Sequence, residues 1–335
     1  MTPLTTPARW VDAAWQGAAL GWARAASQGI GATVTGWTQP HVRPWSTVLR
    51  LENARDPLWL KANGDGTRHE ARVLALFAEL ELPHTQRPLA VDVDRGWTLL
   101  PDGGLTAREA HGGLLPLDDT VGLLTNYAEL QRATEPHVDV FLAAGVDDLR
   151  PRRMPVVLTS VLDELAQAPP PRGLDGASVA RLRSLVPAYV DACAELDAGP
   201  VQPALQHDDL HSNNVFQREC VVFDWGDCVV GHPFGTLLSS LNSVAHHHRL
   251  DRDDPALRRL ADAYTEAWSD VADRATLRRQ VELAVRVGPL TRVLAWRRAL
   301  EGVDEDALDE WGDNVGGWLT EIESDDLPLH PAALV

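Results

Sequence analysis

Apolar and polar positions change their period along this chain, and the changes mark its elements. Leu49 and Leu51 alternate with Val48 and Arg50, and after the turn Asn53-Ala54-Arg55-Asp56-Pro57 comes Leu58-Trp59-Leu60-Lys61-Ala62. Short alternating runs around a turn predict strands. From Thr67 to Leu80 the spacing lengthens, so that Val73, Leu74, Leu76, Phe77 and Leu80 share a helical face and Glu70 falls in the first turns. Pro88 to Leu100 reads as two more strands about the turn Asp94-Arg95-Gly96, and Pro101-Asp102-Gly103-Gly104 breaks the pattern.

Past that break the chain reads as mainly helical. Val121, Leu124, Tyr127, Ala128 and Leu130 predict one helix and Met154 to Leu165 another, followed by a loop at Ala168-Pro169-Pro170-Pro171. Leu182, Leu185, Val186, Tyr189, Val190, Cys193 and Leu196 form a buried stripe, in a helix that Pro187 is expected to kink or split. Arg292, Val293, Leu294, Trp296, Arg297 and Arg298 read as an amphipathic helix, and Trp311 and Trp318, seven apart, as one face of a last helix packed on the core. The first residues, Met1 to Gly31, predict an amphipathic helix with Trp10, Ala14, Leu20 and Trp22 against the body.

Composition narrows the function classes. A chain of 335 residues can bury the cores of two lobes, and its net charge of -18 argues against nucleic acid or an anionic membrane as partner while suiting a cationic small molecule. Asp12, Gln16 and Arg24 interrupt the first apolar run, which has no basic start, so neither a signal peptide nor a membrane span is expected. The three cysteines, Cys193, Cys220 and Cys228, lack zinc spacing and fit reduced thiols in the cytoplasm. A monomer is favoured. His246-His247-His248 points three ways around a helix and reads as a solvated helix end rather than a metal site. Most acids between Glu301 and Asp313 read as exposed.

The chemistry concentrates between Leu205 and Asp227. Asp209 precedes Asn214 by five residues, and Val221-Val222-Phe223 delivers Asp224 at a strand end, where a carboxylate can hold a cation. His207, Asp209 and Asn214 fit H-x-D-x-x-x-x-N, and Asp224-Trp225-Gly226 stands where protein kinases have Asp-Phe-Gly. More narrowly, His207-Asp208-Asp209-Leu210-His211-Ser212-Asn213-Asn214-Val215 resembles the H-G-D-L-H-x-x-N-V loop of the aminoglycoside phosphotransferase and choline kinase family.

That resemblance implies an α+β, two-lobe protein-kinase-like fold, with an N-lobe over residues 1–101 and a helical C-lobe over 102–335. It implies Asp209 as the catalytic acid that receives or orients the acceptor hydroxyl, and Asn214 and Asp224 as magnesium ligands. His207 is expected to brace the loop and His211 to position; Asp227 is either near the metal or exposed. Lys61 is the sole lysine, the other 29 of the 30 basic side chains being arginine. A compact ammonium suits phosphate oxygens in a tight cleft, and by resemblance Lys61 holds the nucleotide phosphates with Glu70 as its ion-pair partner. Adenine is expected against the hinge backbone from Leu99 to Asp102, including Leu100.

The sequence departs from the family at three places. Asp208 replaces a glycine. No G-x-G-x-x-G precedes the lysine, so Ser46 and nearby amides in His41–Thr47 are the available phosphate contacts. Gly235-Thr236 replaces an aspartate-leucine pair that braces the loop, leaving Ser239 or His232 for that task. The implied activity is transfer of phosphate from ATP or GTP, with magnesium, to a hydroxyl of a small molecule, first an aminoglycoside, aminosugar or amino alcohol. The alternatives are a catalytically silent nucleotide-binding module and a protein kinase, the latter disfavoured because no Ala-Pro-Glu-like end follows Asp224.

Overall fold

Alternation along three neighbouring strands explains how the first lobe is built. In the computed structural model, which describes residues 5–168, 172–329 and 334, β1 (Gly36–Val42), β2 (Ser46–Glu52), β3 (Leu58–Asn63), β4 (Ala90–Asp92) and β5 (Trp97–Pro101) form an antiparallel sheet in the order β1-β2-β3-β5-β4. Leu49, Leu51, Leu58, Leu60 and Leu99 point to one face, where α1 (Ala13–Gly29) covers them with Ala19, Leu20 and Ala23. Each such leucine contributes about 1.5–3 kcal/mol on burial. The opposite face carries Val48, Trp59, Lys61 and Leu100 toward a cleft. Register sets Lys61 between Val48 on β2 and Thr98 on β5.

Two details of the N-terminal segment differ from expectation. Trp10 lies in a separate 3-10 turn, because Asp12 caps α1 by accepting from the Trp15 amide. Ala14 is exposed. Met1–Leu4, like Pro169-Pro170-Pro171 of the proline loop, lie outside the described residues.

Helix α2 (Glu70–Glu79) starts later than its apolar pattern, since Asp65–Thr67 forms a 3-10 turn first. It buries Val73, Leu74, Leu76 and Phe77 in the core of the helical body. That body comprises α3 (Ala107–Ala110), α4 (Leu117–Thr134), α5 (Val138–Ala143), α6 (Met154–Leu165), α7 (Gly176–Asp197), α8 (Thr236–His248), α9 (Pro255–Thr265), α10 (Arg274–Val287), α11 (Pro289–Ala299), α12 (Glu305–Trp311) and α13 (Asp313–Thr320). Pro187 does not split α7. Leu182 before it and Tyr189, Cys193 and Leu196 after it enter one core, and the Tyr189 hydroxyl donates to the Val287 carbonyl at 3.0 Å.

Trp311 and Trp318 do not share a helix. Gly312 separates α12 from α13, so Trp311 joins Trp296 and Trp45 while Trp318 lies 5.7 Å from the Arg292 guanidinium. Short strands deliver the site: β6 (Asp147–Leu149), β10 (Val229–Gly231) and β7 (Ala204–Gln206) pair in that order, and β8 (Val215–Phe216) pairs with β9 (Val221–Val222). Among the described residues no helix is long and apolar enough to cross a membrane. Cys193 and Cys228 are buried free thiols and Cys220 is a half-buried one.

Candidate active site

Strand β7 leads into a loop whose backbone is held from several sides. His207 is fully buried; its Nδ1 accepts from the Asp209 amide at 3.2 Å, so Nε2 carries the proton donated to the Phe223 carbonyl at 2.9 Å. Burial lowers its pKa, which keeps the ring neutral in that role. The first turns of α8 add hydroxyls: Thr236 donates to the His207 carbonyl at 2.7 Å, Ser239 to that of Asp208 at 2.7 Å and Ser240 to that of Leu210 at 3.0 Å. Thr236 thus reaches the loop as a hydroxyl donor from within the Gly235-Thr236 pair. His232 takes no part, because its Nδ1 accepts from the Phe234 amide at 3.3 Å in its own turn.

The β8–β9 hairpin returns the chain to Asp224, which adopts a left-handed backbone with φ 66° and ψ 61°. An aspartate there costs about 1–2 kcal/mol, and its neighbours hold it in place. Trp225 is fully buried, edge-on to Phe77 at 4.8 Å and to His207 at 4.7 Å, and its amide donates to Glu70 Oε1 at 2.9 Å. The turn aims the half-exposed Asp224 carboxylate into the cleft, where it pairs with Lys61.

Glu70 organises the other side. Its carboxylate is 1% exposed, lies 2.7 Å from Lys61 Nζ and accepts from Asn63 Nδ2 at 2.8 Å. Burial works to lower the Lys61 pKa, but the Asp224 and Glu70 carboxylates outweigh it and raise the value, so the ammonium stays charged. The only lysine in the sequence therefore bridges β3, α2 and the Asp224 turn.

Asn214 donates through Nδ2 to the Asp209 carbonyl at 2.9 Å, and His211 Nε2 lies 3.5 Å from Asp209 Oδ2. Sequence reasoning missed the fourth member of this group. Arg292, read as part of a core-packed helix, places Nη1 3.1 Å from Asp227 Oδ2 and 3.0 Å from the Asp208 carbonyl, and Nη2 3.6 Å from Asp209 Oδ1. Its side chain is only 9% exposed. Burial tends to raise the Asp209 pKa, but Arg292 and then His211 hold it below the usual carboxylate range. A local signal existed in an arginine set between Leu290 and Val293 on an apolar helix. Asp227 is fixed further by Arg298, which donates to its carbonyl at 3.1 Å.

Asp208, at the glycine position of the motif, points inward. Its Oδ1 accepts from Thr291 at 2.6 Å and Gln206 at 2.7 Å, and burial pushes its pKa up to about 6 against the pull of Arg292. A carboxyl whose pKa rises on folding binds its proton more tightly in the folded chain. Its contribution is therefore most favourable below the ordinary value and is lost as pH rises through about 6. The unfolding free energy of Asp208→Asn relative to wild type is expected to rise by about 3 kcal/mol between about pH 4 and pH 7. Urea titrations across that range check it, and a flat difference contradicts it.

Lys61, Asp209, His211, Asn214, Asp224, Asp227 and Arg292 line a cleft of about 780 Å³, within the usual size of small-molecule sites. Ser46, Leu100 and Asp102 also line it, with Trp59 donating to Asp102 Oδ1 at 2.7 Å. Gly103 is required beside the hinge, since a Cβ there would meet the Phe216 ring at 2.3 Å. Phe216 and Phe223 stack 4.1 Å apart on the cleft wall, a feature that sequence reasoning did not single out. The β1–β2 connection is only Arg43-Pro44-Trp45. Rather than forming a flap, it is tied down: the Trp45 carbonyl accepts from Gly64 at 2.7 Å, and its ring meets Trp296 and Trp311, each at 5.6 Å.

Among the described residues no group of three or more His, Cys, Asp or Glu side chains is arranged to hold a metal. His248 instead bonds the Leu115 carbonyl at 3.0 Å at the end of α8.

No protein-family model matches the sequence, and no curated protein matches it. Solved structures do match its fold. The GDP and kanamycin complex of APH(2")-IIia superposes with a TM-score of 0.58 at 14% identity, covering 89% of this chain and 98% of that one. The Plasmodium vivax ethanolamine kinase gives 0.57 at 11% identity over 85% of this chain and 82% of that one. The macrolide 2'-phosphotransferase from Brachybacterium faecium gives 0.55 at 14% identity over 88% and 97%. Similarity at such identities is one of fold. The chain accordingly has the α+β, kinase-like fold found in aminoglycoside and macrolide phosphotransferases and in choline and ethanolamine kinases.

Proposed function

We propose that the chain is a magnesium-dependent phosphotransferase that moves the terminal phosphoryl group of ATP or GTP to a hydroxyl of a small molecule. The observation that carries this reading is the meeting of Asp209, Asn214, Asp224 and the Glu70-paired Lys61 in one cleft between the sheet and the helical body. Residues 1–101 serve as the nucleotide-phosphate lobe and 102–335 as the acceptor lobe. The nucleotide base lies at the hinge end, beside Leu100, Asp102, Phe216 and Phe223.

Asp209, ionised by Arg292, accepts the proton of the acceptor hydroxyl and orients its oxygen for attack. Lys61 binds phosphate oxygens, and Ser46 offers a hydroxyl close by. The donor set fits magnesium: a cleft-facing carboxylate at Asp224 and the amide oxygen of Asn214, whose Nδ2 is turned onto the loop, are hard oxygen ligands, and magnesium commonly takes only one or two carboxylates beside substrate phosphates. When bound, the ion neutralises phosphate charge. His211 positions Asp209, and Asp227 holds Arg292 in place. From Asp224 to β10 the chain runs only four residues, a connection too short to carry a peptide-docking segment, which supports a small-molecule acceptor.

Asp224→Ala tests the metal assignment. Calorimetric titration with ATP or GTP is expected to show wild-type affinity rising about tenfold or more with magnesium and the variant gaining nothing, as loss of one charged ligand implies. Equal magnesium dependence in the two proteins rejects the assignment. For the activity itself, magnesium-dependent nucleotide consumption is measured against small-molecule alcohols. Consumption that persists undiminished in Asp209→Asn rejects the reading.

A further inference from the structure

The β1–β2 connection cannot fold over bound phosphates, since it is short and its Trp45 is docked on Trp296 and Trp311. Contacts from that side must come from the strands. On the cleft face one cross-strand row runs through His41 of β1, Val48 of β2 and Lys61 of β3, paired in register, and all three line the cleft.

A break in β1 puts His41 in that row. Thr38 pairs with Arg50 and His41 with Val48, so three steps along β1 match two along β2. Strict alternation from Thr38 would turn His41 toward α1, and the extra residue brings it back to the cleft, as β-bulges do when they re-aim a side chain. Gln39 keeps the opposite orientation, where its amide donates to Thr47 Oγ1 at 2.9 Å and to the Trp10 carbonyl at 3.1 Å. The His41 carbonyl accepts from the Thr47 hydroxyl at 2.7 Å, but among the described residues the half-buried ring has no hydrogen-bond partner.

The charge of the cleft gives this free ring a task. Five carboxylates line the cleft against Lys61 and Arg292, so an incoming polyphosphate meets a net negative wall. The other cleft histidine, His211, is turned to Asp209. Strands about 4.8 Å apart put the Cα of His41 about 10 Å from that of Lys61. A phosphoryl group fills such a gap with a hydrogen bond of about 2.9 Å on either side. His41 also stands one residue before the connection that meets α11 through Trp45, on the helix that carries Arg292 beside Asp209, and so belongs to the acceptor end of the cleft rather than the hinge end.

Resting on the phosphotransferase reading, we infer that His41 binds the terminal phosphoryl group of the nucleotide, its ring donating to a phosphate oxygen from the side opposite Lys61. The charged groups that act on the ring are Arg43 of the β1–β2 connection, Asp224 of the turn after β9 and Lys61 of β3. Burial, then Arg43, hold its pKa below the ordinary histidine value against the pull of Asp224, with Lys61 adding to the lowering. The free ring is therefore neutral above about pH 7. A phosphate in contact raises its pKa, so binding takes up a proton. The added affinity is present in full below the free-state pKa and is lost as pH rises through that of the bound state.

The test titrates the full chain with magnesium by calorimetry, using ATP and GTP beside ADP and GDP, at pH 8 and pH 6. His41→Ala is expected to weaken triphosphate binding about tenfold or more, as loss of a hydrogen bond to a charged group implies, and diphosphate binding by less than about twofold. Retained diphosphate binding shows that the variant is folded. His41→Gln keeps a donor but cannot take up a proton. At pH 8 it is expected to bind triphosphate within about twofold of wild type, and at pH 6 wild type gains about threefold or more over it. Protonation of the phosphate itself acts alike on both proteins. No loss in His41→Ala, or equal losses of triphosphate and diphosphate binding, overturns the inference, as do parallel pH curves for wild type and His41→Gln. A wild-type chain that binds none of the four nucleotides overturns the phosphotransferase reading and this inference with it, whereas wild-type binding with an indifferent His41→Ala removes His41 alone.

Discussion

Asp209→Asn is expected to lower kcat by about 10²–10⁴-fold while leaving nucleotide affinity within about threefold of wild type. The substitution keeps the size of the side chain and removes its ability to take a proton. Asn214 reaches the Asp209 backbone carbonyl, a contact that the change does not touch, and Lys61, Glu70 and Asp224 are held by one another and by Asn63 and the Trp225 amide. Nucleotide binding and proton acceptance therefore rest on different atoms, and the variant separates them. Because Arg292 holds the Asp209 pKa below the usual carboxylate range, this acid contributes no activity loss between about pH 5 and pH 8. Steady-state kinetics and calorimetric nucleotide titration on the same preparation check the result. A variant that turns over at the wild-type rate removes Asp209 from the chemistry.

Arg292→Leu is expected to destabilise the chain by about 3–5 kcal/mol and to lower kcat/KM by about 10²-fold in the fraction that folds. A single buried guanidinium serves the Asp208 carbonyl, the Asp227 carboxylate and the Asp209 carboxylate. Leucine leaves those oxygens without a counter-charge, and the Asp209 carboxylate loses the group that fixes its position. The sign of the pH dependence follows. Protonation relieves an unpaired carboxylate, so the stability loss is larger near pH 8 than near pH 5. Arg292→Lys recovers only part of it, since one ammonium cannot span the three partners of a planar fork. Denaturant titrations at the two pH values and kcat/KM at neutral pH provide the measurements. Equal stability loss at both values contradicts the charge argument and leaves only lost packing against Trp318.

Local pattern carried the parts of this molecule whose physics is local. Alternation in β2 and β3 placed Lys61 opposite the buried leucines, helical spacing set Glu70 at the start of α2, and the fixed intervals from His207 to Asp224 identified a loop and a strand end that the fold does bring together. The fold class was legible for the same reason, because lysine strand, glutamate helix, hinge and catalytic loop follow one another in order.

What the sequence alone did not determine were contacts made across long separations. Arg292 lies 83 residues from Asp209 in the chain, and from its own neighbourhood it reads as a flank of an apolar stripe; only the packing of α11 beside the loop turns it into the counter-charge of the catalytic acid. Trp45 looks like part of a phosphate loop until its ring docks on Trp296 and Trp311, and Asp208 looks like a damaged glycine position until Thr291 and Gln206 receive its carboxylate. A helix period or a strand period tells which side of an element is apolar. Which distant group faces a charge is decided by how elements pack, and in a buried site that pairing sets whether the charge can exist at all.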